Sequence, residues 1–449
     1  MAISFYQVLF WLLAGIVVII LLTTKYRVHA FFALILACFV TGLGVQLPLA
    51  DVITTIKDGF GNIMKSLGLI IVLGTTLGIL LEHTGSTKVM AEYILKKTGE
   101  RYAAFAMSIT GFIVGLPVFC DSGYIVLSGL TQPLSKRTGV PVITIATSLA
   151  TGLYAVHCLI PPHPGPAMAG GALGVDFGKL ILVGIIAAVP AMAVGYWWAI
   201  LSVKRIGAGK KIMPVEVKEE VIVQDIAAGP SVIRAFLPVI IPVILIAAKS
   251  FFTIETAGTQ KWILFFLSLG DPVIALLIGV LLAFSAKKGW NKNTVAMLLH
   301  ESVEKAGSIL VIIGAGGAFG AILAVTKPGE HFSTITVMGS AGILFSFLLT
   351  FILKTAQGSS TVAIITAASI VQPLMPLLGF HTPTEKLLCV LSMGAGSMAI
   401  SHANDAYFWV IVKFSGLDMK SVLRVYSIAT LWMALVTLLM VYILSFVLT

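Results

Sequence analysis

Long apolar segments separated by short polar stretches recur along the whole chain. A segment of about 18 or more apolar residues is long enough to cross a lipid bilayer as a helix. The pattern therefore predicts an all-α protein with ten apolar segments embedded in a membrane. These segments lie at residues 7–23, 29–46, 64–82, 140–158, 178–203, 233–252, 262–285, 305–325, 385–400 and 424–447.

The amino-acid composition supports the same class of protein. Hydrophobic residues make up 58% of the chain and charged residues only 11%, which is too little charge for a soluble chain of this length. The net charge of +10 is interpreted as membrane topology rather than nucleic-acid binding. The four cysteines lie in or beside apolar segments without paired spacing, so we expect no disulfide, metal site or cofactor.

Short sequence matches recur about 240 residues apart, in the same order. "LTQPL" at 130–134 corresponds to "IVQPL" at 370–374, and "SLATGLYAVH" ending at His157 corresponds to "SMGAGSMAISH" ending at His402. Between the two sets lies the longest polar stretch, residues 204–234. The chain is therefore predicted to consist of two repeats joined by an extramembrane linker.

The predicted repeats cover residues 1–203 and 235–449. Each contains five spanning segments and one shorter pair of apolar arms. Because an odd number of crossings brings the second repeat into the membrane from the other side, we expect inverted topology, a common construction in secondary transporters. Lys and Arg concentrate in the polar segments on the same side as the linker, which the positive-inside rule places in the cytoplasm.

The paired arms are predicted to be re-entrant hairpins, at about 102–135 and about 335–376. Their turns, "FCDSG" and "AQGSSTV", are polar. Non-helical backbone at membrane depth is tolerated only where it is buried in protein or lines a wet cavity. The helix that starts at each turn offers free N–H groups and a partial positive charge, which suit an anion. The candidate residues at the turns are Asp121, Ser122, Gly123, Gln357, Gly358, Ser359, Ser360 and Thr361.

After each hairpin we predict a helix that breaks at the membrane midplane, at about 140–175 and about 385–415. The first contains "PPHPGP", whose prolines do not all fit inside one continuous helix. The second contains "SHANDAYFW". Free carbonyls at such breaks bind cations, and the restarting helices face anions. The candidates here are His157, His163, His402, Asn404 and Asp405.

Structural roles are open to the same residues. Asp121 and Asp405 could cap the helices that follow them, and His163 could be a buried hydrogen-bonding group. His157 and His402 occupy matching positions, which fits a repeated packing role as well as a proton relay.

For three further polar or aromatic residues, a structural role is also weighed against a binding role. Lys354, near the second turn, could extend to the membrane interface or bind a substrate carboxylate. Tyr407 and Trp409 are interpreted as interface anchors.

Several segments resemble the gluconate:proton symporter (gluconate permease) family, within the wider ion transporter superfamily. The resemblance extends over nearly the whole chain. The segments that carry it are "KYRVHAFFALILA" at 25–37, "GLPVFCDSGYIVL" at 115–127, "AVHCLIPPHPGPA" at 155–167, "LVIIGAGGAFGAIL" at 310–323 and "AQGSSTVAIITAASIVQPL" at 356–374.

This resemblance implies uptake of gluconate or a related hydroxy or sugar acid with a proton, across the inner membrane. It also implies a homodimer with scaffold and transport domains that move as an elevator. The implied substrate contacts are Asp121, Ser122, Gly123, His163, Lys354, Gln357, Gly358, Ser359, Ser360, Thr361, His402, Asn404 and Asp405. The candidates for proton coupling are Asp121, His157, His163, His402 and Asp405.

Three other functions are weighed against this one. A sodium-coupled symporter of another small carboxylate or of D-serine would keep the same architecture. A membrane enzyme is disfavoured because the chain has neither an HExxH nor a GxSxG motif. A channel is disfavoured because two closed hairpins suit alternating access better.

Overall fold

The structure is a computed structural model that describes residues 5–206, 229–251, 265, 267–325 and 339–448. Most of the predicted linker, residues 207–228, lies outside the described residues. So do the first residues of the second predicted hairpin, 335–338, and part of the apolar segment at 262–285.

All regular secondary structure in the described ranges is helical. The first half contains α1 (Phe5–Thr24), α2 (Ala30–Gly44), α3 (Leu49–His83), α4 (Ser86–Thr98), α5 (Ala103–Gly115), α6 (Cys120–Ser128), α7 (Thr131–Thr138), α8 (Val142–Leu159), α9 (Pro164–Leu173) and α10 (Phe177–Ile206). The second half contains α11 (Val232–Phe251), α12 (Pro272–Ser285), α13 (Lys292–Val325), α14 (Gly339–Gln357), α15 (Ser360–Val371), α16 (Pro383–Met398), α17 (Ala406–Ser415) and α18 (Met419–Leu448). Residues Leu423–Ser427 of α18 form a π-helical turn.

Six stretches of helix in the described residues are long and apolar enough to cross a membrane, which confirms the predicted class of protein. Six of the ten predicted spans coincide with these stretches. The other four, at 7–23, 29–46, 262–285 and 385–400, do not meet the same criterion in the described residues. Two of the confirmed spans are longer than predicted. The segment at 64–82 is part of the 35-residue helix α3, and the segment at 305–325 is part of the 34-residue helix α13. Both helices begin well before the predicted segment. The prediction followed hydropathy, and the first turns of these helices carry polar and charged residues.

Helices end and restart at or close to the four places where the sequence predicted breaks. The first predicted turn, "FCDSG" at 119–123, is wrong in detail, because the interruption lies at 116–119 and residues 120–123 form the first turn of α6. The interruptions fall at residues 116–119, 160–163, 358–359 and 399–405. The second arm of the first predicted hairpin differs in detail from the prediction. It consists of two short helices, α6 and α7, rather than one continuous arm.

The helix order repeats along the chain with an offset of about 240 residues. The long helix α3 has its counterpart in α13, the pair α8 and α9 in α16 and α17, and the helix α10 in α18. The sequence match that ends at His157 and His402 therefore falls on helices that correspond in order and in approximate length.

The centre of the fold is made by helices α8 and α16. Every residue from Ile143 to Leu159 is buried, as is every residue from Leu387 to Met398. Each of these helices packs closely on the first arm of the preceding pair, α5 or α14. A Cβ at Gly152 would lie 2.2 Å from the Ser108 carbonyl oxygen, and one at Gly396 would lie 2.3 Å from the Phe347 carbonyl oxygen. Glycine is required at both crossings because any side chain would force the helices apart.

The outer helices expose large apolar side chains, as expected of surfaces that face lipid. On α18, for example, Leu439 is 58% exposed and Ile443 is 44% exposed. The four cysteines are all buried and free. Within the described residues, no cluster of three or more His, Cys, Asp or Glu side chains could hold a metal ion.

Candidate functional site

A cavity of about 340 Å³ lies where the helix breaks meet. Four helices begin at its wall, since the lining includes the first residues of α6, α9, α15 and α17. The side chains that line it are Phe119, Cys120, Asp121, Ser122, Tyr154, His157, Pro164, Lys305, Ser308, Ile309, Ile312, Ser359, Ser360, Thr361, Val362, Asp405, Ala406 and Tyr407, together with Gly358. The partial positive charges of four helix N-termini thus converge on one space.

The first break contributes Asp121 and Ser122 to the cavity. Asp121 is exposed there and takes part in no ion pair among those that the described residues form. It does not cap α6. Gly123 points away from the cavity and packs against α8, where a Cβ would lie 2.9 Å from Leu153 Cδ2. The carboxylate of Asp121 is therefore free to meet a ligand.

The second break contributes Ser359, Ser360 and Thr361. Ser359 Oγ accepts a hydrogen bond from the Val362 N–H (3.3 Å) and so caps α15. Gly358 has a positive φ of 77°, and a Cβ there would lie 2.1 Å from the Asn404 carbonyl oxygen. This turn is consequently pressed against the chain between α16 and α17.

Two amide side chains of the second half lie behind the cavity wall. Asn404 Nδ2 donates to the Thr355 carbonyl oxygen (2.7 Å) and fixes the loop to the end of α14. The side-chain amide of Gln357 is buried, and neither its oxygen nor its nitrogen has a hydrogen-bond partner. Buried polar groups are normally paired, so an amide without a partner among the described residues is unusual.

Asp405 and Lys354 form a buried ion pair beside the cavity. Lys354 Nζ lies 3.3 Å from Asp405 Oδ2 and donates to the Ile400 carbonyl oxygen at 3.1 Å. Asp405 also accepts hydrogen bonds from Ser401 Oγ (2.5 Å) and from the Tyr407 N–H (3.0 Å), which caps α17. Lys354 is fully buried and does not line the cavity. Its charge is balanced inside the protein.

The three candidate histidines lie in different surroundings. His163 Nε2 donates to the Gly115 carbonyl oxygen (2.6 Å), and the ring is buried behind the cavity wall. His157 lines the cavity, forms a hydrogen bond with Thr361 Oγ1 (3.3 Å) and has a buried Nδ1 without a partner. His402 is half-buried in the segment between α16 and α17, outside the cavity lining. His157 and His163 contact each other with ring centroids 4.9 Å apart.

Tyr407 corrects one sequence interpretation. It is not an interface anchor, because it is only 3% exposed and lines the cavity. Its hydroxyl donates to the Ala150 carbonyl oxygen (3.1 Å), and its ring stacks on Tyr154. The sequence interpretation was wrong because a run of aromatic residues is also typical of the membrane interface. The helix break before α17 instead places the first turn of α17 at the centre of the protein. Trp409, two residues later, is 45% exposed.

Lys305 is a site residue that sequence reasoning missed. It lies on α13, lines the cavity, and its Nζ donates to Ser122 Oγ at 2.7 Å. In the sequence it marks the start of an apolar segment and so resembles an interfacial lysine. The available signal was that three charged residues, Glu301, Glu304 and Lys305, lie in the third and fourth turns of α13, just before the apolar run.

Comparison with known proteins assigns this arrangement to a family. The sequence model of the GntP family permeases matches residues 7–447. The chain belongs to the GntP permease family. It is 33% identical over 442 residues to a gluconate permease of Pseudomonas aeruginosa, with 97% of each chain covered. It is 29% identical over 441 residues to the D-serine transporter DsdX of Escherichia coli, covering 97% of this chain and 98% of that one.

A solved structure supports the fold of this GntP permease. The YdaH transporter of Alcanivorax borkumensis superimposes with a TM-score of 0.62 at 17% sequence identity, covering 89% of this chain and 88% of that one. At this identity the likeness concerns the fold alone. Together with the family match, it shows that the protein is a membrane transporter of the gluconate permease type and not an enzyme.

Proposed function

We propose that this permease carries a small hydroxylated carboxylate, of which gluconate is the model compound, together with a proton across the inner membrane. The observation that carries the proposal is the convergence of four helix N-termini on one cavity. An anion is stabilised there by free backbone N–H groups without a large cost in desolvated cationic side chains.

The polar groups on the cavity wall fit the rest of such a substrate. Asp121, Ser122, Ser360 and Thr361 can accept or donate hydrogen bonds to several hydroxyl groups. A relative that is 33% identical is named a gluconate permease, which supports a sugar acid as the substrate. The unpaired amide of Gln357 would gain a partner if the second turn closes on the substrate.

Asp121 is the residue that we assign to proton coupling. Of the two carboxylates on the cavity wall, Asp405 is paired with Lys354, whereas none of the ion pairs within the described residues includes Asp121. An unpaired charge at the bilayer centre costs a few kcal/mol or more. Protonation of Asp121 would remove that cost and allow the loaded protein to move, so movement would be coupled to the proton.

The proposed architecture follows from the repeat. The offset of about 240 residues between equivalent helices supports two repeats of inverted topology, with hairpins at 102–135 and 335–376 entering the membrane from opposite faces. By resemblance to its superfamily, we infer a homodimer in which a transport domain slides along a scaffold like an elevator. The linker at 204–234 is then cytoplasmic.

The test uses purified protein in proteoliposomes with an imposed pH gradient. Wild-type protein is expected to accumulate gluconate, and Asp121→Asn is expected to abolish this accumulation because the proton-binding group is lost. Asp58→Asn, which removes an exposed carboxylate of α3 outside the cavity, is the matched control and is expected to behave as wild type. Undiminished pH-driven uptake by the Asp121 variant would refute this assignment.

The principal alternative is a sodium-coupled symporter of another small carboxylate or of D-serine. The D-serine alternative is favoured by the 29% identity to a D-serine transporter. Imposing sodium and proton gradients separately, with gluconate, short hydroxy acids and D-serine as substrates, separates these possibilities. Accumulation driven by sodium alone would replace the proton in the proposal.

A further inference from the structure

We propose that Lys305 receives the carboxylate of the substrate. This inference rests on the proposed transport of a carboxylate. The four helix ends attract an anion but do not fix how it is oriented in the cavity. A contact with Lys305 on α13 would fix the position of the carboxylate.

Lys305 is placed to meet a ligand. It is half-buried, it lines the cavity, and it is the one lysine or arginine on the wall among the described residues. Its Nζ donates to Ser122 Oγ (2.7 Å) and lies 5.5 Å from the centre of the Phe119 ring. None of the ion pairs in the described part of the chain includes it. A half-buried ammonium group held only by a hydroxyl and a ring retains most of its capacity for an anion.

Lys354 shows what a structural lysine looks like in the same protein. Its ammonium group is fully buried, pairs with Asp405 at 3.3 Å and donates to a backbone carbonyl. A substrate carboxylate would have to displace Asp405 to reach it. Lys305 requires no such displacement, because the Ser122 hydroxyl is a neutral and replaceable partner.

This arrangement predicts a preference for an acid over its neutral amide. A carboxylate forms a short, charge-assisted hydrogen bond with Nζ, whereas an amide oxygen forms an ordinary one. Hydrogen bonds to charged groups contribute about 1.5–3 kcal/mol, which corresponds to roughly tenfold or more in affinity. The helix ends also favour the acid through their partial positive charge, so the contribution of the lysine is the part of the preference that Lys305→Gln removes.

The experiment measures binding of gluconate and of gluconamide to the purified full-length protein in detergent. Wild-type protein is expected to prefer gluconate. Lys305→Gln should weaken gluconate binding by about tenfold or more and leave gluconamide binding nearly unchanged, and Lys305→Arg should recover most of the preference. The matched control is Lys292→Gln, which removes an exposed lysine at the start of the same helix and should bind as wild type.

Lys305→Arg provides the second variant in case Lys305→Gln does not fold. It keeps the positive charge and should retain the preference for gluconate. A Lys305→Arg protein that binds gluconate and gluconamide equally would overturn the proposal.

The outcomes separate the two proposals. If wild-type protein binds gluconate and Lys305→Gln keeps both the affinity and the preference for the acid, only the role of Lys305 is refuted. If wild-type protein binds no gluconate, hydroxy acid or other carboxylate, both proposals fail.

Discussion

The two halves of the permease fasten their broken helices in different ways. In the first half, His163, the residue before α9, donates to the Gly115 carbonyl oxygen at the end of α5. In the second half, Asp405, the residue before α17, pairs with Lys354 near the end of α14. The two contacts occupy equivalent places, yet one is a neutral hydrogen bond and the other is an ion pair.

This difference shows which charges are used internally and which remain available. The second half places one acid and one base in the protein interior, where each satisfies the other. The first half closes its break without any charge, and its acidic residue, Asp121, is left exposed in the cavity. The repeated fold is therefore asymmetric in its chemistry. The second half anchors the site, and the first half offers the titratable carboxylate.

The largest expected effect comes from breaking the ion pair of the second half. Lys354→Met leaves the Asp405 carboxylate buried without a cation, and removing one partner of a buried pair costs about 3–5 kcal/mol. We expect a large loss of folded protein, measured as thermal unfolding in detergent.

Two comparisons sharpen that prediction. The double variant Lys354→Met with Asp405→Asn should regain much of the stability, because no uncompensated charge remains and asparagine still caps α17. Lys413→Met, at an exposed position of α17, should unfold as wild type does. A Lys354→Met protein as stable as this control would show that the pair is not needed.

A smaller effect is expected from the equivalent contact in the first half. His163→Phe keeps a ring of similar size but leaves the Gly115 carbonyl oxygen without its donor, which costs about 1–3 kcal/mol. Thermal unfolding of this variant should lie between those of wild type and Lys354→Met. His300→Phe, at an exposed position of α13, controls for the change in side chain. Destabilisation by His163→Phe as large as that by Lys354→Met would contradict the proposed difference between the halves.

The smallest effect is expected from an ion pair at the surface. Arg137 Nη2 lies 2.7 Å from Glu100 Oε1, but both side chains are more than half exposed, at 57% and 54%. Exposed pairs contribute about 0–1 kcal/mol, so Arg137→Gln should change the unfolding temperature little. Added salt should reduce even that difference, because it screens exposed charges. A loss comparable to that from Lys354→Met would mean that burial does not set the value of these pairs.

The sequence by itself determined the membrane class, the four helix breaks and most of the polar residues that surround the cavity. Apolar segments and prolines act locally, because hydropathy and the missing proline N–H do not depend on which helix lies nearby. For the same reason "AQGSSTV" could be identified as a turn and "FCDSG" as the segment next to one, with Asp121 and Ser360 as candidates there.

Only the tertiary structure decided which charges meet. Lys354 and Asp405 are 51 positions apart and Lys305 and Ser122 are 183 apart, so no local pattern indicates that either pair is in contact. A lysine near the end of an apolar run has the same local sequence whether it reaches the membrane interface, pairs with a buried acid or faces a cavity. Its partner is fixed by how α13 and α14 pack against the helix breaks, because a buried charge takes its function from the groups within a few ångströms of it.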